Sequence, residues 1–372
     1  MLMMVDRVKI AYDFQIFCQQ EFGGVSRYFS EIASCVARSN GFDAKVFAPI
    51  NANQHLVSAS TPKISRYNRA FRKIPGAIAL DINRTVTSFL IDKYNPNLIH
   101  DTYYQMGSKS KYKCPRVLTV FDMINEIYIF NESEQKLETI EKLDAVTRSD
   151  AIICISENTR QDLIRLFDVP VEKTHVVHLG FKLNPIDDSA KLPRFNKPYI
   201  LFVGNRSGYK NFNSLLDAYS SSLSLRGEVS IVAFGGGKFT IDELRYIKKL
   251  GISPLDVVQI SGGDRTLGLL YRNSMCFVYP SKYEGFGIPP LEAMSFSCPV
   301  VCSNSSSMPE VVGDAAVMVS PLSADEIRDG IESVVFDSSL RARLIERGKE
   351  RVSLFSWDAC ARGTVDVYRT VL

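Results

Sequence analysis

The 372-residue chain holds a single tryptophan, four histidines and no Cys-x-x-Cys pair. His55, His100, His175 and His178 fall in no ligand spacing with the cysteines, which argues against a zinc site. There is also no Asp-x-Asp motif of the kind that holds a catalytic divalent ion. No stretch approaches the roughly 20 apolar residues a membrane-spanning helix needs. The start, Met1 to Ile10, lacks the apolar core of a secretory signal. The eight cysteines are scattered, and Cys154 and Cys276 lie inside apolar runs, where a reduced thiol packs as a small hydrophobe. Disulfides are therefore not implied, and a cytoplasmic location is expected. A net charge of only +3, with no recognised module, points away from nucleic acid. The charge is uneven, however: His55 to Arg116 carries 11 Lys or Arg against 3 acids. Within it, Pro62–Pro75 interleaves Lys63, Arg66, Arg69, Arg72 and Lys73 with Ile64, Tyr67, Phe71 and Ile74. Such a pattern suits peripheral contact with an anionic membrane surface, although a solvated helix face would read the same way.

What is present is a soluble globular composition, 45% hydrophobic and 23% charged, on a chain long enough for two domains. Short β-branched runs alternate with helical segments. Strands are expected at Val8–Tyr12, Ala44–Ala48, Leu98–His100, Val117–Phe121, Ala151–Ile155 and His175–Val177. Helices fit at 25–38, 134–148 and 157–167, the last with Ser156 as N-cap. Residues 182–198, with three prolines and an Asp-Asp-Ser cluster, read as a linker. The alternation then restarts with strands at Tyr199–Val203, Val229–Ala233, Val257–Ile260, Cys276–Tyr279 and Val300–Cys302. The fold class is α/β, as two doubly wound, Rossmann-like domains over 1–181 and 199–354 that face a cleft, with 355–372 as a final helix crossing back to the first domain.

Two loops carry the chemistry. In Tyr279-Pro-Ser-Lys-Tyr-Glu-Gly-Phe-Gly-Ile-Pro-Pro-Leu-Glu292 a buried strand ends at Tyr279, and Pro289 or Pro290 opens the next helix. Glu284 then sits on the loop and Glu292 early in the helix, with the backbone amides of Gly285, Phe286, Gly287 and Ile288 near its positive end. Carboxylates accept from sugar hydroxyls, and amides at a helix N-terminus accept phosphate, so the segment suits a sugar nucleotide. In Leu201-Phe-Val-Gly-Asn-Arg-Ser-Gly-Tyr-Lys-Asn-Phe212, Arg206 and Lys210 follow a strand. Two cations there can neutralise a diphosphate as it leaves, although alone they would read as solvated charges on a turn. Gly23-Gly24, after the first strand, is a weaker signal for backbone approach to phosphate.

Together these segments resemble the retaining glycosyltransferases of family 4, which have the GT-B architecture. Glu284 to Glu292 matches that family's E-x7-E, and Val203 to Phe212 its phosphate loop. The flanks Ile155-Ser-Glu-Asn-Thr159 and Pro309-Glu-Val-Val-Gly-Asp-Ala-Ala316 agree. The likeness looks closest to mannosyltransferase-like members of bacterial surface-polysaccharide pathways, including O-antigen synthesis.

The resemblance implies roles. Arg206 and Lys210 would grip the donor diphosphate, Glu292 would accept from ribose hydroxyls, and Glu284 would orient the transferred sugar. Gly23, Gly24 and the 285–288 amides would complete the cradle. Where many members have His-x-His, this chain has His100-Asp-Thr102, so the residue lining the reaction centre stays open among His100, Asp101 and Asp122. The implied reaction moves a hexose from a sugar nucleotide, GDP-mannose first and a UDP-hexose second, to a lipid-diphosphate-linked glycan with retention, needing neither cofactor nor metal. A sugar-nucleotide epimerase or hydrolase of the same architecture is the alternative.

Overall fold

A computed structural model describes residues 7–51, 53–58, 76–104, 112–128, 132–182 and 192–372. The basic segment Pro62–Pro75 and residues 183–191 of the expected linker lie outside the described residues. The chain divides into two compact units, Met1–Gly180 with Ser356–Leu372, and Phe181–Phe355.

The first unit runs β1 (Val8–Tyr12), α1 (Gln15–Gln19), α2 (Gly24–Arg38), β2 (Phe42–Val46), α3 (Gln54–Ser58), α4 (Gly76–Tyr94), β3 (Leu98–Asp101), β4 (Arg116–Val120), α5 (Ile124–Ile127), α6 (Glu132–Thr147), β5 (Ala151–Cys154), α7 (Glu157–Phe167) and β6 (Thr174–Val176). Its six strands are parallel in the order β2-β1-β3-β4-β5-β6. Strands β3 and β5 are buried on both faces, which is why they read as continuous apolar runs rather than alternating ones. Ser156 caps α7, its side chain accepting from the Thr159 amide at 3.0 Å.

The second unit runs β7 (Tyr199–Val203), α8 (Phe212–Ser221), α9 (Leu223–Glu228), β8 (Ser230–Phe234), α10 (Ile241–Lys249), β9 (Val257–Ile260), α11 (Asp264–Asn273), β10 (Cys276–Tyr279), α12 (Ile288–Ser295), β11 (Val300–Ser303), α13 (Met308–Val312), β12 (Ala316–Val319), α14 (Ala324–Phe336) and α15 (Ser338–Ser353). Its sheet is also parallel, in the order β12-β11-β10-β7-β8-β9. The chain ends in α16 (Trp357–Val371), which packs on α2 and β5 of the first unit. Both units are doubly wound α/β folds.

The strand orders locate where ligands can bind. In the first unit the chain steps from β1 out to β2, then resumes on the other side of β1 at β3. In the second it steps from β7 through β8 to β9, then resumes beside β7 at β10. The crevice outside the carboxyl ends of β1 and β3, and that outside β7 and β10, are the topological switch points where open parallel sheets take ligands.

Candidate functional site

The switch point of the second sheet is built from the two loops singled out in the sequence. After β7 the chain makes a short turn at Gly208–Lys210 and enters α8 through Asn211, which adopts the left-handed conformation at φ 62°. The buried Asn211 amide donates to the carbonyls of Pro280 at 3.0 Å and Pro321 at 2.7 Å. The Lys282 amide donates to Tyr209 O at 2.7 Å, so the loops after β7 and β10 are stitched together through main chain. Across that seam the Lys210 ammonium donates to Glu284 Oε1 at 2.7 Å and to the Tyr279 hydroxyl at 3.1 Å. Both side chains of the pair are largely buried.

Glu284 is held by its backbone as well. Its amide donates to Ser306 Oγ at 2.9 Å, and Ser307 Oγ donates to the carbonyls of Glu284 and Phe286 at 2.9 and 2.7 Å. Gly287 closes the turn at φ +112°, and a β-carbon there would collide with Met308 Cε. The positive φ favours glycine, and any β-carbon would also need the flexible end of Met308 to shift. Helix α12 follows with prolines in its first turn. Phe286 points into the interior against Phe355, at 5.6 Å between ring centroids, so only its backbone can serve a ligand. Glu292, half-buried in α12, accepts from the Tyr271 hydroxyl at 3.4 Å.

Arg206 does not join Lys210. Its Nε donates to Glu243 Oε1 at 2.7 Å and its terminal nitrogens to Gly235 O at 2.7 Å, Lys238 O at 3.1 Å, Gly236 O at 3.3 Å and Glu243 Oε2 at 3.3 Å. One terminal nitrogen shares its two hydrogens among Gly236 O, Lys238 O and Glu243 Oε2, while the other donates to Gly235 O. Without a ligand, Arg206 and Lys210 thus hold separate carboxylates, Glu243 and Glu284. Arg206 is buried because its acceptors, carbonyls and a carboxylate 29 to 37 positions on, are brought together only by folding.

At the switch point of the first sheet, Asp13 at the end of β1 is 7% exposed. It accepts from the Gln15 amide at 3.3 Å, the Thr102 amide at 3.1 Å, the Thr102 hydroxyl and the Gln15 carboxamide. Among the described residues no cation pairs with it. Burial, with the neighbouring Asp101 adding to it, lifts its carboxyl to about 6. Sequence reading missed Asp13; its place immediately after a strand was the available signal. Thr102, in the position noted for the family's second histidine, is thus a partner of a buried carboxylate.

The three candidates for the reaction centre fare differently. His100 is fully buried, with Nδ1 2.7 Å from the Tyr368 hydroxyl and Nε2 2.9 Å from Thr119 Oγ1. Desolvation drives its pKa down to about 3, so it is neutral and structural in its surroundings. Asp101 is buried in an ion pair with Arg116, whose Nε lies 3.0 Å from Oδ2. Asp122, half-exposed after β4, accepts from the Ile124 amide at 3.0 Å and remains accessible. At Gly23-Gly24 one first-turn amide of α2 is already taken: Ser26 N donates to Gln20 Oε1 at 3.2 Å, and a β-carbon on Gly23 would require that side chain to shift. A β-carbon on Gly24 would meet nothing within 4 Å. Among the described residues no group of three His, Cys, Asp or Glu could hold a metal, and no helix is long and apolar enough to cross a membrane.

Asp13 yields a pH-dependent prediction. A carboxyl lifted from 3.8 to about 6 in the fold binds protons more readily folded than unfolded, so the native state loses stability as pH rises through that window. A lift of that size corresponds to about 3 kcal/mol. The melting-point gain of Asp13→Asn over the parent protein should therefore be larger at pH 8 than at pH 4, by about 2–4 °C per kcal/mol. A melting difference independent of pH would show that Asp13 is not a strained buried charge.

Residues 22–184 match Glycosyltransferase Family 4, and residues 186–351 match Glycosyl transferases group 1. The O-antigen chain mannosyltransferase B of Escherichia coli is 33% identical over 245 residues, 61% of this chain and 62% of that protein. The MMP alpha-(1->4)-mannosyltransferase of Mycolicibacterium hassiacum is 30% identical over 230 residues, 59% of this chain and 54% of that one. The matched region thus spans less than two thirds of either relative. Among solved structures, the sucrose-phosphate synthase of Thermosynechococcus elongatus has a TM-score of 0.71 at 19% identity, covering 98% of this chain and 99% of its own. Anabaena Alr3699/HepE in complex with UDP and glucose has a TM-score of 0.67 at 16% identity, covering 98% and 100%. At those identities the likeness is one of fold.

Proposed function

We propose that this chain, which belongs to glycosyltransferase family 4, transfers mannose from GDP-mannose to a glycan hydroxyl with retention of configuration. The observation that carries the reading is the Lys210–Glu284 pair, 2.7 Å apart across the β7/β10 switch point. A cation and a carboxylate side by side match a ligand with an anionic and a hydroxylated part. Lys210 neutralises the diphosphate as its bond to the sugar breaks, Glu284 orients the sugar hydroxyls, and Glu292 takes the ribose. The departing phosphate oxygen accepts the proton of the incoming hydroxyl on the same face of the sugar. Protein groups then contribute positioning and charge stabilisation rather than acid–base chemistry, and no metal enters. Relatives named as mannosyltransferases support mannose over another hexose. An acceptor linked to a lipid diphosphate at the cytoplasmic face of a membrane accords with the basic, aromatic composition of Pro62–Pro75.

Thermal-shift titration tests the donor. A ligand at 100 times its Kd adds about 2.7 kcal/mol to the folded state. GDP-mannose should therefore raise the melting point by several degrees, while UDP-glucose, UDP-galactose and UDP-N-acetylglucosamine should raise it less. A larger shift with a UDP-sugar would replace the donor, and silence with all four would remove the function.

A further inference from the structure

The loops after β7 and β10 hold Arg206, Lys210 and Lys282, and the three cations are not equivalent. Lys210 is paired with Glu284 and Arg206 with Glu243, each at 2.7 Å. Seen from a distance, each pair sums to zero. Lys282, two residues before Glu284, is exposed, and among the described residues no ion pair or hydrogen bond engages its ammonium. Its main chain, by contrast, is fixed: the amide donates to Tyr209 O at 2.7 Å and the carbonyl accepts from Ser305 Oγ at 3.0 Å. A fixed stem with an unattached head suits a lysine that captures an anion from solution, because a point charge on a flexible chain can follow phosphate oxygens.

Lys282 borders a cavity of about 740 Å³ whose wall also holds Arg206, with Ser207 and Gly208 of the loop that leads to Lys210. Arg206 is 6% exposed, and the terminal nitrogen that donates to Gly235 O keeps a second hydrogen with no acceptor among the described residues. That nitrogen lies against Gly236 on the same wall, where a β-carbon would stand 2.7 Å from it. Two acids share the wall, Asp242 and Glu243. Glu243 is taken by Arg206, and Asp242 pairs with Arg245 at 3.0 Å. Lys282 is therefore the uncompensated charge of this wall, beside a guanidinium N–H that is still open. An anion is the ligand that both can take.

We propose that Lys282 is a further phosphate-binding residue for the donor, drawing the diphosphate into the cavity it shares with Arg206 while Lys210 acts on the leaving oxygen. The inference rests on the sugar-nucleotide reading above and adds to it a residue that lies in neither the phosphate loop nor the Glu284–Glu292 segment. An exposed cation holds the diphosphate about equally before and during bond breaking, so it lowers KM without raising kcat. Its attraction acts over a distance and is screened by salt, unlike that of the largely buried Lys210.

The experiment measures donor KM and kcat, with calorimetric Kd for GDP and UDP, at low and at high salt in the parent protein, Lys282→Ala, Lys282→Glu and Lys282→Arg. At low salt Lys282→Ala should raise KM and Kd about fivefold, the upper range for an exposed charge pair, and Lys282→Glu about tenfold or more. Lys282→Arg should stay close to the parent, kcat should change little in all three, and the losses should shrink at high salt. Melting points should match the parent's, since the side chain has no partner to lose. Unchanged KM in Lys282→Glu, a loss equal at both salts, or Lys282→Arg as impaired as Lys282→Ala overturns the proposal. Failure of the donor reading looks different: UDP would bind the parent more tightly than GDP, with the same ratio between parent and Lys282→Ala. If neither nucleotide binds the parent, both readings fall.

Discussion

Lys210→Ala should slow transfer on the order of 10²- to 10³-fold, the loss seen when one donor to a developing oxyanion is removed. Among the described residues, Lys210 is the cation that both loops of the β7/β10 switch point present together. Its ammonium is held without slack, between Glu284 at 2.7 Å and the Tyr279 hydroxyl at 3.1 Å, with the Tyr209 and Tyr279 rings 5.1 and 5.4 Å away. A charge preorganised in this way acts on the leaving group without reorganising during the reaction. The substitution also leaves a largely buried carboxylate without its cation, so some stability must be lost as well. Glu284→Gln separates the two effects. It breaks the same ion pair, yet leaves the cation at the leaving group. Both variants should therefore melt lower by similar amounts, while Lys210→Ala loses kcat and Glu284→Gln loses sugar orientation, with a smaller effect on hydrolysis of the donor by water. Initial rates within tenfold of the parent protein for Lys210→Ala would defeat the assignment of the leaving-group cation.

The architecture was readable because parallel strands covered on both sides are runs of β-branched and aromatic residues, each followed by a turn. Val8–Tyr12, Tyr199–Val203, Val257–Ile260 and Cys276–Tyr279 have the bounds their composition implies. β12 escaped notice because it is an edge strand with partly exposed side chains, Met318 among them, and so lacks the buried signature. α4 also went unread, lying directly after the basic segment and carrying only a weak apolar stripe. Lys210 and Glu284 could be anticipated since each sits on a loop directly after a strand, and doubly wound folds bring such loops together. Arg206 could not be assigned in the same way. A solvated cation and a buried one read alike in sequence; the difference lies in Glu243 and three carbonyls that no spacing announces. Asp13 and Thr102, 89 positions apart, meet only because β1 and β3 are neighbours. His100 was equally ambiguous in sequence: a histidine at a strand's carboxyl end can line a reaction centre or pack in the core, and here both ring nitrogens face core hydroxyls.

One of those hydroxyls makes the last helix a structural necessity of the first unit, and deleting Trp357–Leu372 should prevent that unit from folding. Cys360, Ala361, Val365, Val367 and Tyr368 of α16 are buried within the same cluster as Ile10, Tyr12, Phe29 and Ile32. Ser356 caps the helix by accepting from the Ala359 amide at 3.1 Å, and Gly180 lies so close to Trp357 that a β-carbon there would meet its ring at 2.5 Å. The Tyr368 hydroxyl lies 2.8 Å from that of Tyr12 and 2.7 Å from His100 Nδ1. Removing the helix withdraws several large buried side chains, each of which stabilises by about 1.5–3 kcal/mol. The total approaches the whole stability of a domain, about 5–15 kcal/mol. It also leaves Tyr12 and His100 with unmet polar atoms in an apolar core. Tyr368→Phe isolates the polar part: it keeps the ring and should cost about 1–3 kcal/mol by orphaning both partners. In a unit of this size that is a fall of about 2–4 °C per kcal/mol in calorimetry. The second unit draws its core from its own helices α8, α14 and α15, so its transition should stay in place in both variants. An unchanged melting profile for the truncated chain would refute this packing.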